Sequence, residues 1–155
     1  MKKSQLSGKD VCKKCKAKCC KLGGCDFTKN EMKRVLNAGY PNYFIKISDN
    51  QYEVKTRNGA CYYLNNDNLC SIQNLKTKMC WAWPVFMDFK KGKKVFYLVK
   101  CPLTPYLSKK DIGKMKKQIS GYTKEFIDCN DTHMSDSEVK RVMKRFYRFK
   151  KKEIK

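Results

Sequence analysis

The chain carries a single histidine, His133, among 155 residues, and only 14 acidic residues against 36 lysines and arginines. One imidazole argues against a mixed Cys/His zinc site and against a Cys–His nucleophile pair, and its polar surroundings place His133 at the surface. No paired-carboxylate motif and no Ser/His/Asp set stands out, so no catalytic residue is assigned. No stretch approaches the ~18 consecutive apolar residues of a membrane span, and the basic N-terminus leads into no apolar run of signal-peptide length. The expectation is a soluble, cytoplasmic protein with no membrane partner. No Gly-rich loop with a downstream acid suggests a nucleotide or S-adenosylmethionine fold, and no small-molecule substrate is indicated. Repeats and Pro/Gly/Ser linkers are also missing, so residues 1–155 are expected to form a single domain, long enough to bury a core without staples.

What the chain has in excess is positive charge and sulfur. The formal net charge is +22, with extra density along Lys140, Arg141, Lys144, Arg145 and Arg148. Such a surface attracts nucleic acid, an acidic protein or a negatively charged cluster. Composition alone is the competing account, because Lys, Asn, Ile and Tyr are all frequent, as under AT-rich coding.

Three amphipathic helices are marked by their start signals. Thr28 to Glu31 is a capping box before Met32, Val35 and Leu36, with Gly39 as the stop. Ser108 to Asp111 opens a second helix with Ile112, Met115 and Ile119, closed at Gly121, and Ser135 to Glu138 opens a third with Val139, Val142, Met143 and Phe146. Two hairpins are expected, residues 43–47 with 52–54 around Asp49-Asn50, and residues 85–87 with 95–99 around Lys90 to Lys94. The fold class is therefore α+β: a small cysteine-rich domain with short β-hairpins, about three helices and metal-binding loops, ending in a basic helical extension over 108–155.

Ten cysteines fall in a pattern. "CKKCKAKCC" places Cys12, Cys15, Cys19 and Cys20 among four lysines in nine positions. Cys61, Cys70 and Cys80 follow with eight and nine residues between them, and Cys101 precedes Pro102. In a reducing compartment such clustering points to metal rather than disulfides. A Cys-x2-Cys pair lets two thiolates from one turn reach one ion or cluster, Cys19 or Cys20 adds a third, and a distant cysteine closes the set. Thiolates are soft donors that select zinc, Cu(I) or iron–sulfur clusters.

These residues resemble the zinc- or iron-chelating domain family named for its CxxCxxCC motif (YkgJ-like proteins), related to the flagellin lysine-N-methylase. The resemblance covers residues 12–102: the N-terminal four cysteines, the helix opening at Thr28, Cys61 with Tyr63-Leu64, Cys70 with Ile72, Cys80 with Trp83-Pro84, and Cys101-Pro102. It implies that Cys12, Cys15, Cys19, Cys20, Cys61, Cys70, Cys80 and Cys101 are the metal ligands. The sequence departs from the family pattern at Lys16, where a glycine is usual, and at Lys76-Thr77, where many members carry Arg-Pro. An extra residue before Cys19 and the run "CSIQ" match the methylase branch.

Eight thiolates would hold one or two 4Fe–4S clusters, a cluster and a zinc, or two zincs. Iron–sulfur is the first reading, because adjacent Cys19 and Cys20 are expected to point apart toward neighbouring sites. Lys13, Lys14, Lys16, Lys18 and Lys21 would offset the charge of a thiolate-ligated cluster. The function expected first is cysteine-ligated metal binding in electron transfer, cluster supply or maturation of a partner enzyme, with an acidic protein or redox partner. A methyltransferase-like enzyme or its accessory subunit is the second reading, and a nucleic-acid-binding module with a structural zinc the third. Cys25 and Cys129 lie outside the eight and read as small buried hydrophobes. Trp81, Trp83, Phe86 and Tyr97, near the last ligands in sequence, read as core.

Overall fold

The computed structural model describes residues 8–129 and 132–155; the basic start of the chain, read above for a leader, lies outside them. In chain order the elements are α1 (Gly8–Lys14), a 3-10 turn (Lys18–Lys21), β1 (Asp26–Phe27), α2 (Lys29–Asn37), β2 (Phe44–Ser48), β3 (Gln51–Val54), β4 (Thr56–Arg57) and β5 (Ala60–Cys61). Then come α3 (Lys78–Ala82), β6 (Val85–Lys90), β7 (Lys93–Val99), a 3-10 turn (Thr104–Tyr106), α4 (Lys109–Ile119), α5 (Lys124–Ile127), α6 (Asp136–Phe146) and β8 (Lys151–Ile154).

The α+β class holds, with six α-helices among the described residues instead of three. All three expected capping boxes are formed: Thr28, Ser108 and Ser135 accept from the backbone N–H groups of Glu31, Asp111 and Glu138, whose carboxylates reach back to the cap N–H. Each such cap contributes about 1 kcal/mol. Gly39 takes φ +87 beyond α2, as a C-terminal stop requires. The additional helices α1, α3 and α5 span seven, five and four residues, too short to display an apolar period. Both hairpins form, the second with longer strands than expected. Its turn is only Lys91-Gly92, both at positive φ, so β6 and β7 run on to a Lys90–Lys93 pair.

The described residues divide into two compact units. Unit 1 comprises residues 8–77 and 132–148. Its sheet has the antiparallel order β1-β3-β2, with Asp26 opposite Glu53 and Phe44 opposite Val54. Against it α2 buries Met32 and Val35, which join Phe27, Val54, Tyr63 and Ile72 in one core. The Tyr63 hydroxyl donates to the Pro41 carbonyl at 2.6 Å, so the buried ring keeps its polar end satisfied. The helix α6 contributes Val142 as a buried residue, while Met143, expected on the same stripe, is exposed.

Unit 2 comprises residues 78–129 and 149–155. Its sheet is β6-β7-β8, with Val85 and Met87 of β6 and Leu98 of β7 facing a core completed by Ala82, Ile119, Tyr122 and Phe126. Alternation along a strand sends Phe86 and Tyr97 to the other face, where they stack 5.1 Å apart beneath the Lys151 ammonium. These two rings, read from sequence as core, are thus a face pair capped by a lysine. Trp81 is 43% exposed, a further departure from that reading, and Trp83 packs edge-on against Phe149 at 5.7 Å.

A buried polar group ties α6 to the sheet of unit 1. Glu53 accepts from the Thr132 hydroxyl at 2.8 Å, from the His133 backbone N–H at 3.0 Å and from His133 Nδ1 at 2.9 Å. The other ring nitrogen, Nε2, accepts from the Thr56 N–H at 3.0 Å, which assigns the proton to Nδ1. His133 is therefore a half-buried latch rather than the surface residue its polar neighbours suggested. Asp26, the cross-strand neighbour of Glu53, is raised: burial, then the Glu53 charge, push it up to about 7. An acid raised above its ordinary 3.8 stabilises the fold fully below that value and loses the contribution as pH rises through about 7. Chemical denaturation should show unit 1 losing stability on the order of 4 kcal/mol across that interval. Asp26→Asn should flatten the profile, and an unchanged slope in that variant would contradict the assignment.

Candidate metal centre

Local backbone geometry folds the sulfur-rich segment of unit 1 back on itself. The helix α1 carries Cys12, with Cys15 just beyond it, and is stopped by two successive left-handed residues, Lys16 at φ 58 and Ala17 at φ 48. That conformation favours glycine, which accounts physically for the residue usual at position 16 in the pattern the sequence resembles. Ala17 is fully buried and donates its N–H to the Cys12 carbonyl at 3.0 Å, so packing offsets the strain. The 3-10 turn then presents Cys19 and Cys20. Cys15 turns its thiol to the Cys12 carbonyl at 3.4 Å.

The next segment is pinned at two points. Gly23 N–H donates to the Gly59 carbonyl at 2.8 Å, and the Cys25 carbonyl accepts from Val54 N–H at 3.3 Å. Between them the backbone approaches β3 so closely that a Cβ on Gly24 would lie 1.9 Å from the Val54 carbonyl oxygen. Cys61 ends β5, and Cys70 is brought back beside it by a turn in which Asn65 Oδ1 accepts from Asp67 N–H and Leu69 N–H; Leu64 and Cys70 form an isolated bridge. Cys25, Cys61 and Cys70 all pack against the core of Phe27, Met32, Val54, Tyr63 and Ile72.

Electrostatics shows which thiols share this space. Cys19 donates to Cys20, and this hydrogen bond, followed by burial and the charges of Cys20, Cys12 and Cys25, pushes the Cys19 thiol up. Cys20 is pulled down by that same bond and then by Lys76 and Lys21, against the opposing effect of burial. Burial, with the charges of Cys25, Cys20 and Cys70, raises Cys61 to about 12. Cys70 rises to about 11 through burial and the Cys20 and Cys25 charges, opposed by Lys76 and a backbone hydrogen bond. The Cys20 and Cys25 charges are thus each felt at Cys19, Cys61 and Cys70, and the Cys12 charge at Cys19.

One sequence expectation changes here. Cys19 and Cys20 do not point apart: a 3-10 turn separates successive side chains by about 120° rather than the 180° of a strand, and their thiols meet. The cations that lower Cys20 are Lys76 and Lys21; Lys13, Lys14, Lys16 and Lys18 are exposed. Lys76, noted from sequence only as a departure from the family pattern, is the missed residue, and that position was its one available signal.

Of the eight expected ligands, unit 1 holds Cys12, Cys15, Cys19, Cys20, Cys61 and Cys70, and unit 2 holds Cys80 on α3 and Cys101 after β7. Cys101 N–H donates to Thr104 Oγ1 at 3.0 Å, and Thr104 Oγ1 donates to the Val99 carbonyl at 2.7 Å, fixing the Cys101-Pro102 turn. All ten cysteines are free thiols. Among the described residues no three histidine, cysteine or acidic side chains are placed together so that they could hold a metal ion.

A model of a family described as a putative zinc- or iron-chelating domain, CxxCxxCC, matches residues 11–118. The chain belongs to the CxxCxxCC family. No curated protein and no solved structure matches it significantly. Half-buried free thiols gathered beside a lysine fit the soft cations of this family's description, zinc and iron, on donor chemistry alone. No helix among the described residues is long and apolar enough to cross a membrane.

The basic helix α6 holds the site's frame. Arg145 Nη1 donates to the Lys21 and Asn58 carbonyls, each at 2.8 Å, clasping the end of the Cys19-Cys20 turn to the β4–β5 turn. Arg141 Nη1 donates to Asn58 Oδ1 at 3.2 Å. Arg145→Ala should cost ~1.5–3 kcal/mol in denaturant unfolding, since it removes a charged donor from two carbonyls, whereas exposed Lys144→Ala should stay within ~0.5 kcal/mol. Equal effects would show that the clasp contributes nothing.

Proposed function

We propose that this CxxCxxCC-family protein binds an iron–sulfur cluster through cysteine thiolates and serves electron transfer, cluster supply or maturation of a partner enzyme. The observation that carries the reading is the family match over residues 11–118, supported by Cys61 and Cys70 packing on one apolar core and by the Lys76 charge, which acts to lower both Cys20 and Cys70. A 4Fe–4S cluster bound there would supply one-electron chemistry at a potential set by nearby charge and solvent access. The chain's own part is to present the thiolates, exclude water through the core of Tyr63 and Ile72, and set a fixed cation beside them. The eight family cysteines remain the proposed donor set.

The proposed partner is an acidic protein. Lys13, Lys14, Lys16 and Lys18 are exposed beside the thiols in sequence, where they would steer an anionic surface toward the site. Nucleic acid is the weaker reading, because Arg141 and Arg145 of the basic helix are engaged in hydrogen bonds within unit 1.

Anaerobically isolated protein should be brown and carry iron with acid-labile sulfide. Colourless protein that holds only zinc, even after reconstitution with iron and sulfide, would overturn the cluster while keeping the thiolate site.

A further inference from the structure

We propose that the edge strand β8 of unit 2, with the hollow beside it, is a docking site for an extended acidic segment of a partner protein. The proposal rests on the acidic-partner reading above and gives that partner a site of its own on unit 2. Its first support is the strand edge. Among the described residues β8 pairs with β7 alone, at the end of the sheet β6-β7-β8. Lys100 N–H donates to the Lys150 carbonyl at 2.7 Å where the two strands begin to pair. Hydrogen-bonded and non-hydrogen-bonded pairs alternate along an antiparallel ladder, so Lys152 and Ile154 turn their backbone groups toward β7, while Glu153, opposite Tyr97, turns its N–H and C=O away from it. An added strand would take up both.

The second support is the chemistry of the hollow. Helices α4 and α5 pack against β6, and beside β7 and β8 there is a hollow of about 500 Å3 bordered by Lys94, Phe96, Lys116, Ile154 and Lys155. Phe96 and Ile154 are cross-strand partners, half-buried against the unit 2 core, and supply its apolar part. Three cations surround them. The Lys116 ammonium lies 5.0 Å above the Phe96 ring, and Lys94 donates to the Ser120 carbonyl at the end of α4, a bond that leaves its ammonium two further donors for a carboxylate. The acid bordering the hollow, Glu153, is one position from Ile154, so alternation carries its side chain to the other face of the sheet. An extended peptide repeats a face every second residue, so the fitting segment has an apolar residue with carboxylates two positions on either side, its main chain paired with Glu153. A nucleic-acid strand has no peptide backbone to pair there and no aliphatic side chain for the Phe96–Ile154 pair.

The probe is a short fluorescein-labelled peptide with valine at its centre, glutamate two and four positions on either side and serine between, read by anisotropy on the full-length chain at physiological salt. The combined variant Lys94→Gln, Lys116→Gln, Lys155→Gln should weaken binding by about tenfold or more, whereas Lys110→Gln, Lys114→Gln, Lys117→Gln, an equal loss of charge on another, exposed stripe of α4, should weaken it by less than about threefold. Equal losses would overturn the site. In wild-type protein, saturating peptide should slow amide hydrogen exchange at Glu153 by about tenfold or more, and unchanged exchange would contradict pairing at the edge. If binding ignores both lysine sets and is abolished by neutralising Lys13, Lys14, Lys16 and Lys18, the site fails while the acidic-partner reading stands. A wild-type chain that binds no acidic peptide overturns both. Tighter binding of a single-stranded oligonucleotide of equal charge, lost with Lys94, Lys116 and Lys155, would overturn the proposal in favour of nucleic acid.

Discussion

Thiols pressed together against an apolar core cannot all ionise unless a cation sits among them, and that constraint organises unit 1. Burial raises Cys61 and Cys70, and the Cys19–Cys20 hydrogen bond leaves one charge where two would repel. The Lys76 charge opposes this at Cys20 and Cys70, and the Lys21 charge at Cys20. A soft divalent metal or a cluster core removes the frustration that desolvation creates, since it binds the thiolates directly and releases their protons. The surrounding structure serves to hold that crowding in place: two left-handed residues reverse the chain after Cys12, the Gly24 approach anchors Cys25, and Arg145 clasps the Cys19-Cys20 turn.

The buried carboxylates form a second polar centre within unit 1, separate in its partners from the thiols. Glu53 collects donors from Thr132 and His133, so the residues leading into α6 are tied to the middle strand of the sheet. Arg145 ties the far end of the same helix to the thiol-bearing turn. The basic terminal helix thus acts as a brace at both ends, which gives two of its cations a structural use and reduces the need to explain its charge by nucleic acid.

The parts of the fold legible in the sequence were those with long periods or strong punctuation. Capping boxes at Thr28, Ser108 and Ser135 located three helices because each box places a hydroxyl and a carboxylate three residues apart. Alternation and turn residues located both hairpins. The short helices α1, α3 and α5, the two-residue strands β1, β4 and β5, and the added strand β8 carry no period long enough to read, and depend on tertiary pairing. At the site, spacing and the family pattern nominated eight cysteines as ligands. They did not reveal the environments of Lys76 or His133, which depend on residues far along the chain: the Lys76 charge acts on Cys20, and His133 bonds to Glu53. The Lys16 departure became intelligible only through its positive φ.

The central claim is that this chain holds its metal through sulfur alone. X-ray absorption at the edge of whichever metal accompanies the anaerobically purified protein measures the donor atoms directly. A first shell of about four sulfurs near ~2.3 Å, without nitrogen or oxygen, is the expected result. A shell dominated by nitrogen or oxygen donors would contradict the account, since the gathered thiols of unit 1 would then not be the ligands.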